Sequence, residues 1–175
     1  MPTVYRVSSR DWYQRPQHER DRLRDARPDL AIASDFIAGH PGETDADAEA
    51  TLDLIRRVGF VQSYSFAYSP RPGTPAAGAP GQVPAAVKDA RLQALQALLR
   101  DQAAAFNKAT EGKTLPVLFT GPGRRPGQLS GRSPFLQPVH VDASPALIGQ
   151  VVPVTIMQGS PTSLSGTLIQ ELIPA

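Results

Sequence analysis

Apolar positions in the first 112 residues follow two alternating rhythms. From Leu30 to Gly39 the run LAIASDFIAG is nearly continuous, the pattern of a parallel strand buried on both faces. Thr44 precedes Asp45, Asp47 and Glu49, whose carboxylates suit the positive end of a helix dipole, so Thr44 is the expected N-cap. Ala48, Leu52 and Ile55 recur at helical spacing, and Gly59 stands where a left-handed terminator belongs. The next strand is VQSYSFAYS, residues 61–69, with Tyr64, Phe66 and Tyr68 on one face and Ser63, Ser65 and Ala67 on the other. A Pro/Gly-rich loop, SPRPGTPAAGAPGQVP, leads to a long helix over 85–111 with Leu92, Leu95, Leu99 and Phe106 on one stripe. Strand, helix, strand, helix is the order of two βα units in a parallel sheet. Two units do not close a fold.

After Gly112 the period switches to two. Candidate strands are 113–119, 127–132, 136–141, 151–157 and 163–170, separated by GPGRRPG, SPFLQ, ASPALIG and GSPTS. Five short strands with turn chemistry between them predict a five-stranded antiparallel barrel of OB-like type. The fold class expected is therefore α/β followed by all-β. Residues 1–29 are poorly patterned: a helix from His18 to Arg27 is expected, ended by Pro28, with Leu23 and Ala26 almost its only apolar residues. The expected organisation is 1–29, an α/β part at 30–112 and a β module at 113–175.

Composition narrows the function classes. The chain has 175 residues, 41% hydrophobic and 19% charged, enough to bury a core and too apolar for a wholly disordered protein. No run of 18 apolar residues occurs, and the start, MPTVYRVSSRDWYQRP, lacks the apolar stretch of a signal peptide, so a cytoplasmic location is expected. There is no cysteine. That removes disulfides, zinc–thiolate sites and any iron–sulfur cluster held by this chain's own thiolates. A net charge of +2 is too small to name a partner. Its distribution says more, because beyond Gly112 the cations Lys113, Arg124, Arg125 and Arg132 face only Asp142 and Glu171.

Two loops attract attention. SDFIAGHPGET (34–44) sets a glycine-rich turn between a strand end and a helix N-terminus, where α/β folds present backbone N–H groups to ligands. It lacks the lysine of a phosphate loop, and a tight βα turn explains its glycines equally well. YSPRPGTPAA (68–77) lies at the next strand end, with prolines flanking Arg71 so that one guanidinium sits near the same rim or on a rigid solvated turn. His40, Asp35 and Glu43 lie near one turn without a second nearby histidine, so no metal site is expected. His18 and His140 suggest no role. No G-x-S-x-G elbow is present for nucleophilic hydrolysis.

Together, SDFIAGHPGET, a helix, SYSFAYSPRPGTPAA and the long helix resemble the C-terminal part of a radical-SAM methylthiotransferase barrel. FIAGHPGE is similar to that family's SAM-contacting I-x-G-x-x-x-E segment, and RDWY from Arg10 is similar to its R-x-x-Y stretch. Residues 113–172, with LSGRS at 129–133 and VHVD soon after, resemble its appended TRAM domain, closest to the MiaB-type enzymes that modify isopentenyladenosine in tRNA. The resemblance implies a partial (β/α) radical-SAM barrel before the TRAM barrel. It also implies S-adenosylmethionine contacts at Phe36, Ile37, Gly39, Glu43 and Arg71, and tRNA contacts at Lys113, Arg124, Arg125 and Arg132. Neither DNA nor a membrane is an expected partner.

Two features depart from the family. His40 replaces an aromatic Phe or Tyr, and the C-x3-C-x2-C triad and three further cysteines that hold the family's two [4Fe–4S] clusters are absent. Without thiolates no cluster cleaves SAM reductively, so no catalytic residue is assigned and the chain alone is expected to be inactive. A truncated enzyme whose missing half sits on another chain, a non-catalytic RNA-binding module on a barrel remnant, and a gene fragment all remain open. Arginines on loops of an OB-like barrel suit phosphate contact and stacking, though Phe119 and Phe135 make a thin aromatic platform.

Overall fold

The computed structural model describes residues 15–169; the RDWY stretch and Glu171 lie outside them. The chain divides into two compact units between Leu99 and Arg100.

In the first unit, α1 (Arg15–Ala26) precedes β1 (Asp35–Ala38), α2 (Asp45–Val58), β2 (Tyr64–Ala67) and the start of α3 (Ala85–Lys108). Helix α2 begins at a reciprocal capping box. The Thr44 hydroxyl accepts from the Asp47 amide, and the Asp47 carboxylate accepts from the Thr44 amide. It ends at Gly59 in the left-handed conformation. β1 and β2 pair in parallel, Asp35 with Tyr64 and Ile37 with Phe66. The first strand is shorter than the apolar run from Leu30. Ile32 and Ser34 make single carbonyl contacts to the Val61 and Tyr64 amides, and a regular ladder starts only at Asp35.

Alternation along β1 separates two environments. Phe36 is 7% exposed and packs with Leu54, Ile55, Val58 and Phe60 and with Leu95 and Leu99 of α3. The opposite face carries Ile37, Tyr64 and Phe66, exposed by 57%, 67% and 56%. A parallel sheet is ordinarily covered on both faces. Among the described residues, one face is left uncovered.

The second unit contains residues 100–108 of α3 and a closed barrel of β3 (Thr114–Pro122), β4 (Gln128–Arg132), β5 (Pro138–Asp142), β6 (Val151–Gly159) and β7 (Leu164–Leu168). Strands run β3-β4-β5-β7-β6 around the barrel, and inward residues Val117, Phe119, Leu129, Val139, Val141, Val154, Ile156 and Leu164 fill it. The expected all-antiparallel arrangement is corrected: β5 and β7 pair in parallel, Val139 with Leu164, while the other neighbours are antiparallel. The reason is parity. Strand direction cannot alternate around a closed ring of five without one parallel neighbour pair, so the barrel is mixed.

Gly131, central in LSGRS, is dictated by the β3–β4 approach. A Cβ there would lie 2.6 Å from the Leu118 carbonyl oxygen and 2.7 Å from Val117 Cγ1.

Candidate functional site

The βα turn after β1 is locked by one carboxylate. Glu43 Oε2 accepts from the Gly39 amide at 2.7 Å and from Arg91 Nη1 of α3 at 2.7 Å. Arg91 also donates from Nη1 to the Glu43 carbonyl at 3.1 Å and from Nη2 to Asp45 at 2.7 Å. Hydrogen bonds to Asp45 and then Glu43 raise the guanidinium's pKa above its ordinary value, against the opposing effect of partial burial. Both Arg91 and Glu43 side chains are largely buried. Gly39 has φ +75°, and the Lys88 stem occupies the space where its Cβ would stand, so glycine is required twice over. Lys88 Nζ donates to the Tyr68 carbonyl at 3.1 Å, and the Tyr68 ring meets His40 edge-on with centroids 5.3 Å apart.

A cleft of about 320 Å³ opens beside the turn. Ile37 and Ala38, the α2 residues Ala48 and Leu52, and Ala94 and Leu95 of α3 line it, with Glu43 and Arg91 on its charged side. Of the five residues read as SAM contacts, the structure therefore brings Ile37 and Glu43 to one cleft. Phe36 lies in the helix-facing core, Gly39 is covered by Lys88, and Arg71 sits in the exposed loop where its carbonyl accepts from Thr74. Among the described residues no three His, Cys, Asp or Glu side chains cluster as metal ligands. No helix among them is long and apolar enough to cross a membrane.

On the barrel, the four expected RNA contacts stand on different elements. Lys113 precedes β3, and Arg124 and Arg125 occupy the turn after it, a separation of about 30 Å for nine residues of strand. Arg132 pairs with Leu118, midway along β3. Arg125 lies 3.7 Å from Asp142 and, in the amide orientation that satisfies both groups, donates to Gln128 at 2.9 Å. Arg132 Nη1 donates to the Leu136 carbonyl at 3.1 Å.

Sequence reasoning missed Arg91 and a buried polar cluster. Gln137 is fully buried; its Nε2 donates to Asn107 Oδ1 at 2.8 Å and Thr110 Oγ1 at 3.3 Å, and its Oε1 accepts from Ser133 Oγ at 3.0 Å. Asn107 Nδ2 in turn donates to the Ser160 carbonyl at 2.8 Å. A glutamine at the mouth of the apolar VHV run was the available signal.

Residues 108–169 match the family model for the TRAM domain. Over 148 residues, 85% of this chain, the sequence is 63% identical to a protein of Maricaulis maris (strain MCS10) named tRNA-2-methylthio-N(6)-dimethylallyladenosine synthase. The chain matches the C-terminal part of a tRNA methylthiotransferase. It spans 32% of that relative's length. The TRAM match thus covers the β3–β7 barrel and begins at Lys108, the last residue of α3. LSGRS lies across β4 and the residue after it, with VHVD on β5 beside it, Ser130 opposite His140.

The cofactors of the resembled family meet this chain unequally. Iron–sulfur clusters do not fit, because the chain has no thiolate to offer. The bare β1–β2 face and the Ile37 side of the cleft suit one wall of an apolar, planar ligand such as an adenosine group. Glu43 is already doubly bonded within the turn, so its part in such a wall is to hold the backbone.

Proposed function

We propose that this chain is the RNA-engaging, SAM-facing end of a tRNA methylthiotransferase, with residues 30–112 supplying the closing βα units of the radical-SAM barrel. The observation that carries this reading is the joint presence of a TRAM module at 108–169 and 63% identity to a tRNA-modifying relative over 85% of the chain. Residues 113–175 act as the RNA-binding part, with Arg124, Arg125, Arg132 and Lys113 meeting phosphates at separate points along the strand. Phe36, Ile37, Gly39, Glu43 and Arg71 form the SAM-side end of β1 and its neighbouring loop. In this reading Ile37 faces the nucleoside, Phe36 and Glu43 hold the strand and turn in place, and Arg71 stands on the rim.

S-adenosylmethionine supplies the radical when a cluster elsewhere in the complete enzyme cleaves it. No step is assigned to this chain, whose own contribution is binding and positioning. The substrate carried on this reading is an isopentenylated adenosine beside the anticodon of tRNA. The cluster-binding cysteines of the resembled family are not among these residues. Among the described residues, the exposed face of Ile37, Tyr64 and Phe66 suits packing against further elements of a barrel.

Titrating a labelled anticodon stem-loop RNA with the full chain and following fluorescence anisotropy tests the reading. Saturable binding at micromolar protein or weaker is expected. A chain that leaves the RNA's anisotropy unchanged at every concentration and at low salt overturns it.

A further inference from the structure

Among the described residues, the non-glycine residues with left-handed backbone are Gln62 and Leu136, at φ 54° and 62°. Leu136 is also 64% exposed. A bulky residue rarely adopts this conformation, and an aliphatic side chain in solvent gives the core nothing in return. Glycine or asparagine would hold the same turn with less strain.

The loop around it is fixed from every side. The Leu136 amide donates to the Ser133 carbonyl at 2.9 Å, and its carbonyl accepts from Arg132. The Phe135 amide donates to Ser133 Oγ at 3.2 Å, and its ring meets Phe106 edge-on at 5.4 Å. Next along the chain is the fully buried Gln137, anchored to Asn107, Thr110 and Ser133. Strained conformations persist where the surroundings over-determine them, and they cluster at ligand clamps. With its neighbours and both backbone groups committed inside the protein, Leu136 has one thing left to offer, its side chain.

We propose that Leu136 is a wedge that seats against an unpaired base of single-stranded RNA, with the adjacent Arg132 guanidinium directed to a neighbouring phosphate. This rests on the RNA-binding reading of the TRAM module. Charge selects RNA over a protein partner. No acidic residue occurs from Gln128 to Val141, and Lys108, Lys113, Arg124, Arg125 and Arg132 of the matched segment outnumber Glu111 and Asp142. Unstacked bases in RNA loops present flat apolar faces, and aliphatic side chains serve nucleic-acid binders as wedges between bases.

The test compares the full chain with Leu136→Gly and with the Arg124→Ala/Arg125→Ala double variant. Each is titrated with a labelled RNA hairpin carrying an unpaired loop, at several salt concentrations, and melted without RNA. Leu136→Gly is expected to melt no lower than the parent and to bind about ten-fold more weakly. Its slope of log K against log salt should stay unchanged, because the lost contact is apolar; the double arginine variant should change the slope. Parent-like binding by Leu136→Gly beside weakened binding by the arginine variant overturns the wedge and leaves the RNA reading standing. A Leu136→Gly chain that melts lower puts the side chain in the fold, and one that loses self-association puts it in a protein contact; either overturns the wedge. Absence of RNA binding by the parent removes both readings.

Discussion

Glu43 Oε2 accepts from the Gly39 amide and from Arg91 at the same 2.7 Å, so one carboxylate oxygen ties the end of β1 to a helix forty-eight residues further on. This converts a flexible glycine turn into a fixed ledge beside the cleft. Removing the cation leaves a largely buried carboxylate with half its partners. Arg91→Ala is expected to cost the first unit about 1–3 kcal/mol, the range for hydrogen bonds to charged groups and for orphaned buried ones. Urea unfolding followed by circular dichroism reads this. Glu43→Gln keeps an acceptor for Gly39 and loses only the ion pair, so its loss should be the smaller of the two.

Gly131→Ala should destabilise the TRAM module by about 1–3 kcal/mol, as overpacking does, because the new methyl meets the Leu118 carbonyl and Val117 of β3. Thermal melting of the full chain checks it. A variant that melts like the parent would show that β3 and β4 separate freely at this register.

Acid should weaken the barrel's hold on the end of α3. The Gly159 amide, first, and then Lys108 hold the Glu111 carboxyl below its ordinary pKa. A carboxylate with a lowered folded-state pKa adds stability above its unfolded value, and that stability is lost as pH falls through the lowered folded one. Stability should therefore fall on the acid side of the carboxylate range, with no effect of Glu111 between neutral and alkaline pH. Glu111→Gln should show a flatter acid limb in melting temperatures recorded against pH.

The face of β1 and β2 left uncovered among the described residues predicts concentration-dependent association of this chain. Phe66→Lys, at a position 56% exposed, should shift sedimentation profiles toward monomer while leaving the melting temperature near the parent's. An already monomeric parent at high concentration would show that the face is tolerated in water.

Local chemistry made much of this chain legible. Thr44, Asp47 and Gly59 bound α2 as their side chains and backbone freedom require, and the alternation after Gly112 yields five strands in sequence. Closure was not legible as drawn, because direction around a ring is a property of the whole and not of any strand. The split of the residues read as SAM contacts escaped for a similar reason. Phe36 and Ile37 are neighbours in sequence and face opposite sides of a strand, and only packing reveals that Phe36 is the one in the core. Arg91 was beyond reach of any local pattern, since its partners lie two elements away. The cations read as RNA contacts stand at either end of β3 and on β4, a distribution composition cannot show.

The central claim is that this chain holds RNA through phosphate contacts of its TRAM module, and the salt dependence of binding tests it most directly. If three of Lys113, Arg124, Arg125 and Arg132 meet phosphates of single-stranded RNA, log K should fall against log salt with a slope of roughly −2, from about −0.7 per contact. Replacing Arg124 and Arg125 by Ala should flatten that slope by about one to one and a half units, with unrelated RNA sequences affected alike. Binding whose strength ignores salt, or a double variant with the parent's affinity and slope, would contradict the account.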